Sequence, residues 1–276
     1  VITYSATLDV PRPLAQHLAA LLQVNRLERG SRRGRRALTP FHHAVLVLRW
    51  FRQDTPLATL ARDAGISIAT GYRYLHEGID VLAAQAPELA DVLRHRLATG
   101  RTHVILDGTL IPTDRVRETT TGKHGTPIHL WYSGKHRRFG ANIQFLASED
   151  GFPLWVSSSL PGSTHDLTAA RVHGITGALY AAASQGLPTL ADQGYQGVGI
   201  GIHTPTKMPT DGNTLDADTA CRNALLTRLG CLGERAAALL TTRWKALDRI
   251  TLCPNRIGDI VKAALVLTQV EHSGRY

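Results

Sequence analysis

Over residues 1–98 apolar side chains recur at helical intervals, and almost no stretch alternates as a strand would. Pro11-Arg12-Pro13 opens a first helix through Leu18, Leu21 and Leu22. A second begins near Thr39-Pro40 and turns Val45, Leu46, Leu48, Trp50 and Phe51 inward. Between them lie Arg26, Arg29, Arg32, Arg33, Arg35 and Arg36, broken by Gly30 and Gly34. The glycines disfavour a helix there, so the cluster reads as a basic arm or as a solvated surface loop. In the stretch Thr55–Leu75, Thr55 is placed to cap and Pro56 suits a first helical position. Gly65 allows a left-handed turn, and Ser67 can cap the helix that follows. Ile68, Tyr72, Leu75 and Ile79 then share one side of that helix, leaving Ser67, Thr70, Arg73 and Glu77 on the other.

Thr99-Gly100 marks a change of pattern. Short β-type runs follow at His103–Leu106, Ala141–Ser148 and Leu154–Leu160, then a helical segment near 166–173 and a run at Thr189–Ala191. Three consecutive antiparallel strands, a helix and a further strand predict an α/β sheet. Residues 203–218 are rich in Pro, Thr, Gly and Asp and read as a loop, with helices over roughly 219–248 and 256–271. The pattern divides the chain into an all-α domain over 1–98 and an α/β domain over 99–276.

Charge sharpens this picture. Lys and Arg number 31 against 22 Asp and Glu, a net of +9, which favours a polyanionic partner. Beside that excess, the paired helices around Gly65 suit a helix-turn-helix presenting Ser67, Thr70 and Arg73 to a DNA major groove; a purely structural helical hairpin is the alternative. The three cysteines, Cys221, Cys231 and Cys253, form no CxxC pair, so neither a disulfide scaffold nor a zinc site is expected. No apolar run approaches the roughly 18 residues of a membrane span, and the N-terminus lacks a secretory layout. A cytoplasmic location is the expectation.

Two acids stand after apolar β-type runs: Asp107 after His103-Val104-Ile105-Leu106, and Asp192 after Leu190-Ala191. A carboxylate ending a buried strand is costly unless its charge is offset. One such Asp is readily a turn residue, whereas two, with Glu234 on a helix, suit a shared hard cation such as Mg²⁺. Asp166 competes for a place among them, but it opens a helix, where capping is its simpler role. Lys135-His136-Arg137-Arg138 form a basic turn, either a phosphate contact or a charged hairpin tip. Trp131 and Tyr132 could stack on an unpaired base or fill core, and Asn142 and Gln144 read as ordinary polar strand residues.

The ordered strings Leu106-Asp107-Gly108-Thr109, Trp131-Tyr132-Ser133-Gly134-Lys135-His136, Gly140-Ala141-Asn142-Ile143-Gln144, Pro161-Gly162-Ser163-Thr164-His165-Asp166, Ala191-Asp192-Gln193-Gly194-Tyr195 and Gly233-Glu234-Arg235-Ala236 resemble an insertion-sequence DDE transposase. The resemblance covers about residues 100–272 and is to the group whose nuclease domain is shared with Harbinger-type elements. It implies an RNase H-like fold, with Asp107, Asp192 and Glu234 as the catalytic, metal-binding triad; for Asp166 an auxiliary, metal-binding role beside that triad is the alternative to the helix cap. It also implies Mg²⁺, with Mn²⁺ as substitute. The implied partner is double-stranded DNA, at element terminal repeats and target sites, bound by a homo-oligomer at the nucleoid. DNA contacts are expected from Arg32, Arg33, Arg35, Arg36, Ser67, Thr70, Arg73, Lys135, Arg137 and Lys245. One position departs from the family pattern. Thr241 stands where a Lys usually follows the catalytic Glu by seven residues. Either Lys245, one turn further on the same helical face, substitutes for it, or this copy has decayed into a DNA-binding protein without nuclease activity.

Overall fold

The structure, a computed structural model, describes residues 7–32, 34–122, 125–210 and 214–272. In chain order its elements begin with helices α1 (Arg12–Glu28), α2 (Pro40–Gln53), α3 (Leu57–Asp63), α4 (Ile68–Ala83) and α5 (Leu89–Ala98). Strands β1 (Val104–Pro112), β2 (Thr119–Thr121), β3 (Pro127–His129), β4 (Tyr132–Ser133), β5 (Arg138–Ala147), β6 (Pro153–Val156) and β7 (Leu160–Pro161) follow. Then come α6 (Asp166–Val172), α7 (Ile175–Ser184), β8 (Thr189–Ala191), β9 (Ile202–His203), α8 (Ala217–Arg243) and α9 (Ile257–His272). The chain forms two compact units, 1–86 with 241–248 and 259–276, and 87–240 with 249–258.

The first unit is helical. Leu14, Leu18 and Leu22 of α1 pack with Val47, Leu48 and Phe51 of α2 and with Leu75, Ile79 and Leu82 of α4, all essentially sealed from solvent. Thr39 caps α2, accepting from the His42 N–H at 3.2 Å, with Pro40 at its first position. Thr55 does not cap α3; its hydroxyl donates to Gln53 Oε1 at 3.4 Å, and the helix starts after Pro56. Gly65 adopts the left-handed conformation at φ +64° that ends α3, and Ser67 caps α4 by accepting from the Thr70 N–H. The buried face of α4 differs from the periodicity reading. Gly71, Tyr74, Leu75, Gly78, Ile79 and Leu82 face inward, while Ile68 and Tyr72 lie exposed. Trp244 joins this core edge-on to Phe51 and donates its indole N–H to Thr268 of α9, which accounts for the C-terminal segments grouping here.

The second unit holds a mixed sheet in the order β4-β5-β1-β8-β9, with β6 and β7 also paired to β5. As expected, β1, β5 and β6 pair antiparallel in succession. The later strand β8 lies parallel to β1, reached through α6 and α7, and β9 extends the sheet in parallel. Val104 and Leu106 of β1 pack with Leu146, Trp155, Ile175, Leu179 and Leu187. Leu93 of α5 belongs to the same cluster, with Leu89, Val92 and Leu97 against it. Its apolar face serves the sheet, so the compact units are not divided at 98/99, where the helical pattern ends.

Candidate active site

Asp107 lies within β1 and not at its end. The run of buried apolar residues stops there, but β1 continues to pair with β5 as far as Pro112. Asp192 follows β8 directly, and its Oδ1 accepts from the Gly194 N–H at 2.9 Å. Because β1 and β8 are parallel neighbours paired through Leu106 and Ala191, Asp107 on β1 stands level with Asp192 just past β8.

Asp166 is the main correction to the sequence reading. It stands in the first turn of α6 yet makes no cap bond, and it is buried. Its Oδ1 accepts from Asn142 Nδ2 at 2.7 Å and from Gln144 Nε2 at 3.4 Å, and its Oδ2 pairs with Lys135 Nζ at 3.1 Å. Gln144 Nε2 also donates to Asn142 Oδ1, and the Tyr195 hydroxyl donates to Gln144 Oε1 at 2.6 Å. Asn142, Gln144 and Tyr195 thus form a buried relay that fixes the Asp166 carboxylate. The sequence signal for the strand pair was the period-2 spacing of two amides on a buried strand, where polar groups require partners. For Tyr195 the one sequence signal was its place at the end of the Ala191–Tyr195 string, which assigned it no role.

Two glycines let the acids approach. A Cβ on Gly108 would lie 2.6 Å from Asp166 Oδ1, and one on Gly233 of α8 would lie 2.8 Å from Asp107 Oδ2. Burial pushes the Asp107 carboxyl up to about 7; the Gly108 N–H opposes this, and Asp192 and Asp166 add to it. Burial pulls the Lys135 ammonium down, but Asp166, Asp192 and Asp107 together hold it above its ordinary value. Burial first, then the same three carboxylates, keep the Tyr195 hydroxyl protonated well above its usual range. Burial and the neighbouring Lys135 lower His136.

Glu234 directly follows the glycine packed on Asp107 and is solvent-exposed. Among the described residues no group of three or more His, Cys, Asp or Glu side chains is arranged to hold a metal ion. Mg²⁺ does not require one, since it binds through one or two carboxylates and keeps waters or substrate oxygens in its remaining positions. A desolvated Asp107 with Asp192 and Asp166 nearby fits that demand in donor type and in charge.

The basic residues divide into two groups. Arg36 is committed: both of its terminal nitrogens donate to the buried Glu77, and its guanidinium lies over the Tyr74 ring. It pins the arm to α4, so Glu77 faces inward as an acceptor and not outward. Arg26 is likewise buried, bonded to Leu38 O and His43. Arg32 and Arg35 are exposed, and Arg33 lies outside the described residues. Arg73 donates to Thr70 Oγ1 at 2.9 Å, and Ser67 Oγ donates to the same atom. Arg29, Arg35, Arg36, Tyr72, Arg73 and His76 line a groove of about 620 Å³ between the arm and α4. Arg137 is exposed on the β4–β5 turn at φ +51°. Lys245 is not on the helix of Glu234, as the spacing suggested. α8 ends at Arg243, Trp244 is extended, and Lys245 sits in a short 3₁₀ turn 3.5 Å from Asp248. No helix among the described residues is long and apolar enough to cross a membrane.

A family model described as DDE superfamily endonuclease matches residues 106–269, well over half of the chain, and takes in Asp107, Asp166, Asp192 and Glu234. No curated protein and no solved structure matches.

Proposed function

The chain belongs to the DDE superfamily endonucleases, and from that membership we propose that it is a DNA transposase of insertion-sequence, Harbinger-like type, cutting and joining phosphodiester bonds at element ends. The observation that carries the reading is Asp107 on β1, level with Asp192 after the parallel strand β8 and close to Asp166 across Gly108; burial chiefly, with those two carboxylates adding, pushes the Asp107 carboxyl up to about 7. A desolvated carboxylate with two others nearby is unfavourable on its own and is what a hard cation relieves. The mixed sheet, with one acid on β1 and one just past the parallel strand β8, is compatible with an RNase H-like nuclease.

In this reading Asp107 and Asp192 hold Mg²⁺, with Glu234 on α8 as the third acid and Asp166 beside them. Bound metal supplies Lewis-acid activation of water or a DNA 3′-OH and stabilises the leaving oxygen, in a two-ion arrangement. The residues of this chain orient the rest. Asn142, Gln144 and Tyr195 keep the Asp166 carboxylate facing Gly108, and Lys135 balances its charge. DNA is held by the helical unit, with α4 presenting Ser67, Thr70 and Arg73 as a helix-turn-helix and the arm adding Arg32 and Arg35. Strand transfer reuses the nuclease site with a DNA 3′-OH in place of water.

The test is cleavage of a labelled duplex carrying the flanking end of the element, with Mg²⁺, Mn²⁺ or EDTA. Metal-dependent cutting is expected, lost at least a hundredfold in Asp107→Asn and Glu234→Gln while duplex binding is retained. Full cutting by both variants would sink the assignment.

A further inference from the structure

Beside the carboxylates, between the β4–β5 turn and the segment leading into α6, is a recess of about 240 Å³. Its walls carry Ser133, Lys135, His136, Ser163, Thr164 and His165, and Asp166 closes one side. The recess is built by close backbone contact. A Cβ on Gly162 would lie 2.5 Å from Gly140 O and 2.8 Å from Trp131 O, so the 161–165 segment lies flat on β5 only because residue 162 has no side chain. Asn142 Nδ2 donates to Thr164 O at 3.2 Å and holds the segment there. The Ser163 and Thr164 hydroxyls and the His136 and His165 rings make no hydrogen bond among the described residues, so these donors remain available.

We propose that this recess binds a non-reacting phosphodiester group of the DNA strand that runs to the carboxylates, with Lys135 lying between that phosphate and Asp166. The proposal rests on the nuclease reading and adds a substrate subsite to it. An ammonium, two imidazoles and hydroxyls are donors suited to a tetrahedral anion. Lys135 Nζ already neutralises Asp166 Oδ2, so an anion entering the recess meets a balanced wall and not a bare carboxylate. A base is a poor occupant. Trp131 is buried with its indole N–H donated to Glu118, and Tyr132 rests edge-on against Phe139, so no indole or phenol face lines the recess. Asp166 is shared, with Oδ1 turned toward Gly108 beside Asp107 and Oδ2 toward the recess. A strand seated on one side therefore reaches the other.

The test follows the imidazole ¹H–¹³C resonances of His136 and His165 in the full chain, in EDTA, during titration with a thymidine dinucleotide carrying one phosphodiester. Saturable shifts of both rings are expected. They should weaken at least tenfold for the neutral methylphosphonate analogue, for Lys135→Met and for Thr164→Val. Equal response to the methylphosphonate would mean a sugar or base site and overturn the proposal, as would no saturable response. The titration needs no cutting, so the two readings fail separately. A protein that cuts DNA without these shifts loses only the subsite, and one that shows them but never cuts loses only the nuclease assignment.

Discussion

Gly108 is the tightest point of the carboxylate cluster. A methyl group there would press on Asp166 Oδ1 at 2.6 Å and on Gln144 Nε2 at 2.8 Å, two atoms that already bond to each other. Gly108→Ala should therefore cost about 1–3 kcal/mol of stability by overpacking and lower cutting at least tenfold by displacing Asp166. Gly177→Ala on α7, where a methyl group meets nothing within 4 Å, is the control and should lower neither. Thermal unfolding and cleavage rates decide it; wild-type cutting by Gly108→Ala would mean that the Asp166 position is immaterial. At this scale the sequence was legible where chemistry is local. Asp107 and Asp192 were visible because each breaks an apolar run, and an acid in that setting has to be explained. For Asp166 a helix cap was the simpler of two readings because the atoms that claim its carboxylate come from elsewhere. Asn142 and Gln144 lie on β5 and Lys135 on the turn before it, and no spacing rule links them to the start of α6.

Helix α4 shows what periodicity can and cannot settle. Its existence, its Ser67 cap and the Gly65 turn followed from local rules, but its buried face did not. Glycines carry no hydrophobic signal, so the stripe through Gly71, Leu75, Gly78 and Leu82 was outweighed on paper by Ile68 and Tyr72, which the fold leaves exposed. Glu77 turns inward because Arg36, 41 residues upstream, and the Asn25 amide both donate to it. The same packing buries His43 of α2 against α4. Its Nε2–H donates to Tyr74 O at 2.7 Å and its Nδ1 accepts from Arg26, which fixes the neutral tautomer. Burial lowers its pKa from 6.5 to about 4, with Glu77 opposing and Arg26 and Arg36 reinforcing that shift. The unfolded chain then binds the extra proton between these values, so stability present above pH 6.5 is lost as pH falls toward 4. From pH 7.5 to 5 the loss should be about 2 kcal/mol. Urea unfolding at the two pH values should show that drop in wild type and a much smaller one in His43→Leu, and parallel drops would assign it to other groups.

For the molecule as a whole, the sequence pattern placed the α/β sheet and its first three antiparallel strands, but not how the helices are shared between units. Helix α5 looks like its N-terminal neighbours because all are amphipathic; only the identity of the partner surface, the sheet cluster around Leu106, sends it to the other unit. Likewise the placement of Trp244 against Phe51 is a contact across nearly 200 residues that no local window contains. The net charge of +9 was legible at once, but charge excess does not say which arginines face solvent. The structure separates them, and DNA binding should separate them too. Affinity carried by phosphate contacts falls with salt, and each contact removed flattens the slope of log K against log[salt] by about 0.9. Arg35→Ala should therefore flatten that slope by about 0.9 and leave Tm unchanged, because Arg35 is exposed beside the groove. Arg36→Ala leaves the buried Glu77 carboxylate without its counter-charge, with only the neutral Asn25 amide donating to it, and should cost about 3 kcal/mol, read as a drop in Tm without any DNA present. If Arg36→Ala left Tm intact and flattened the salt slope as Arg35→Ala does, Arg36 would be a phosphate contact and the arm would be held in place by something other than this pair.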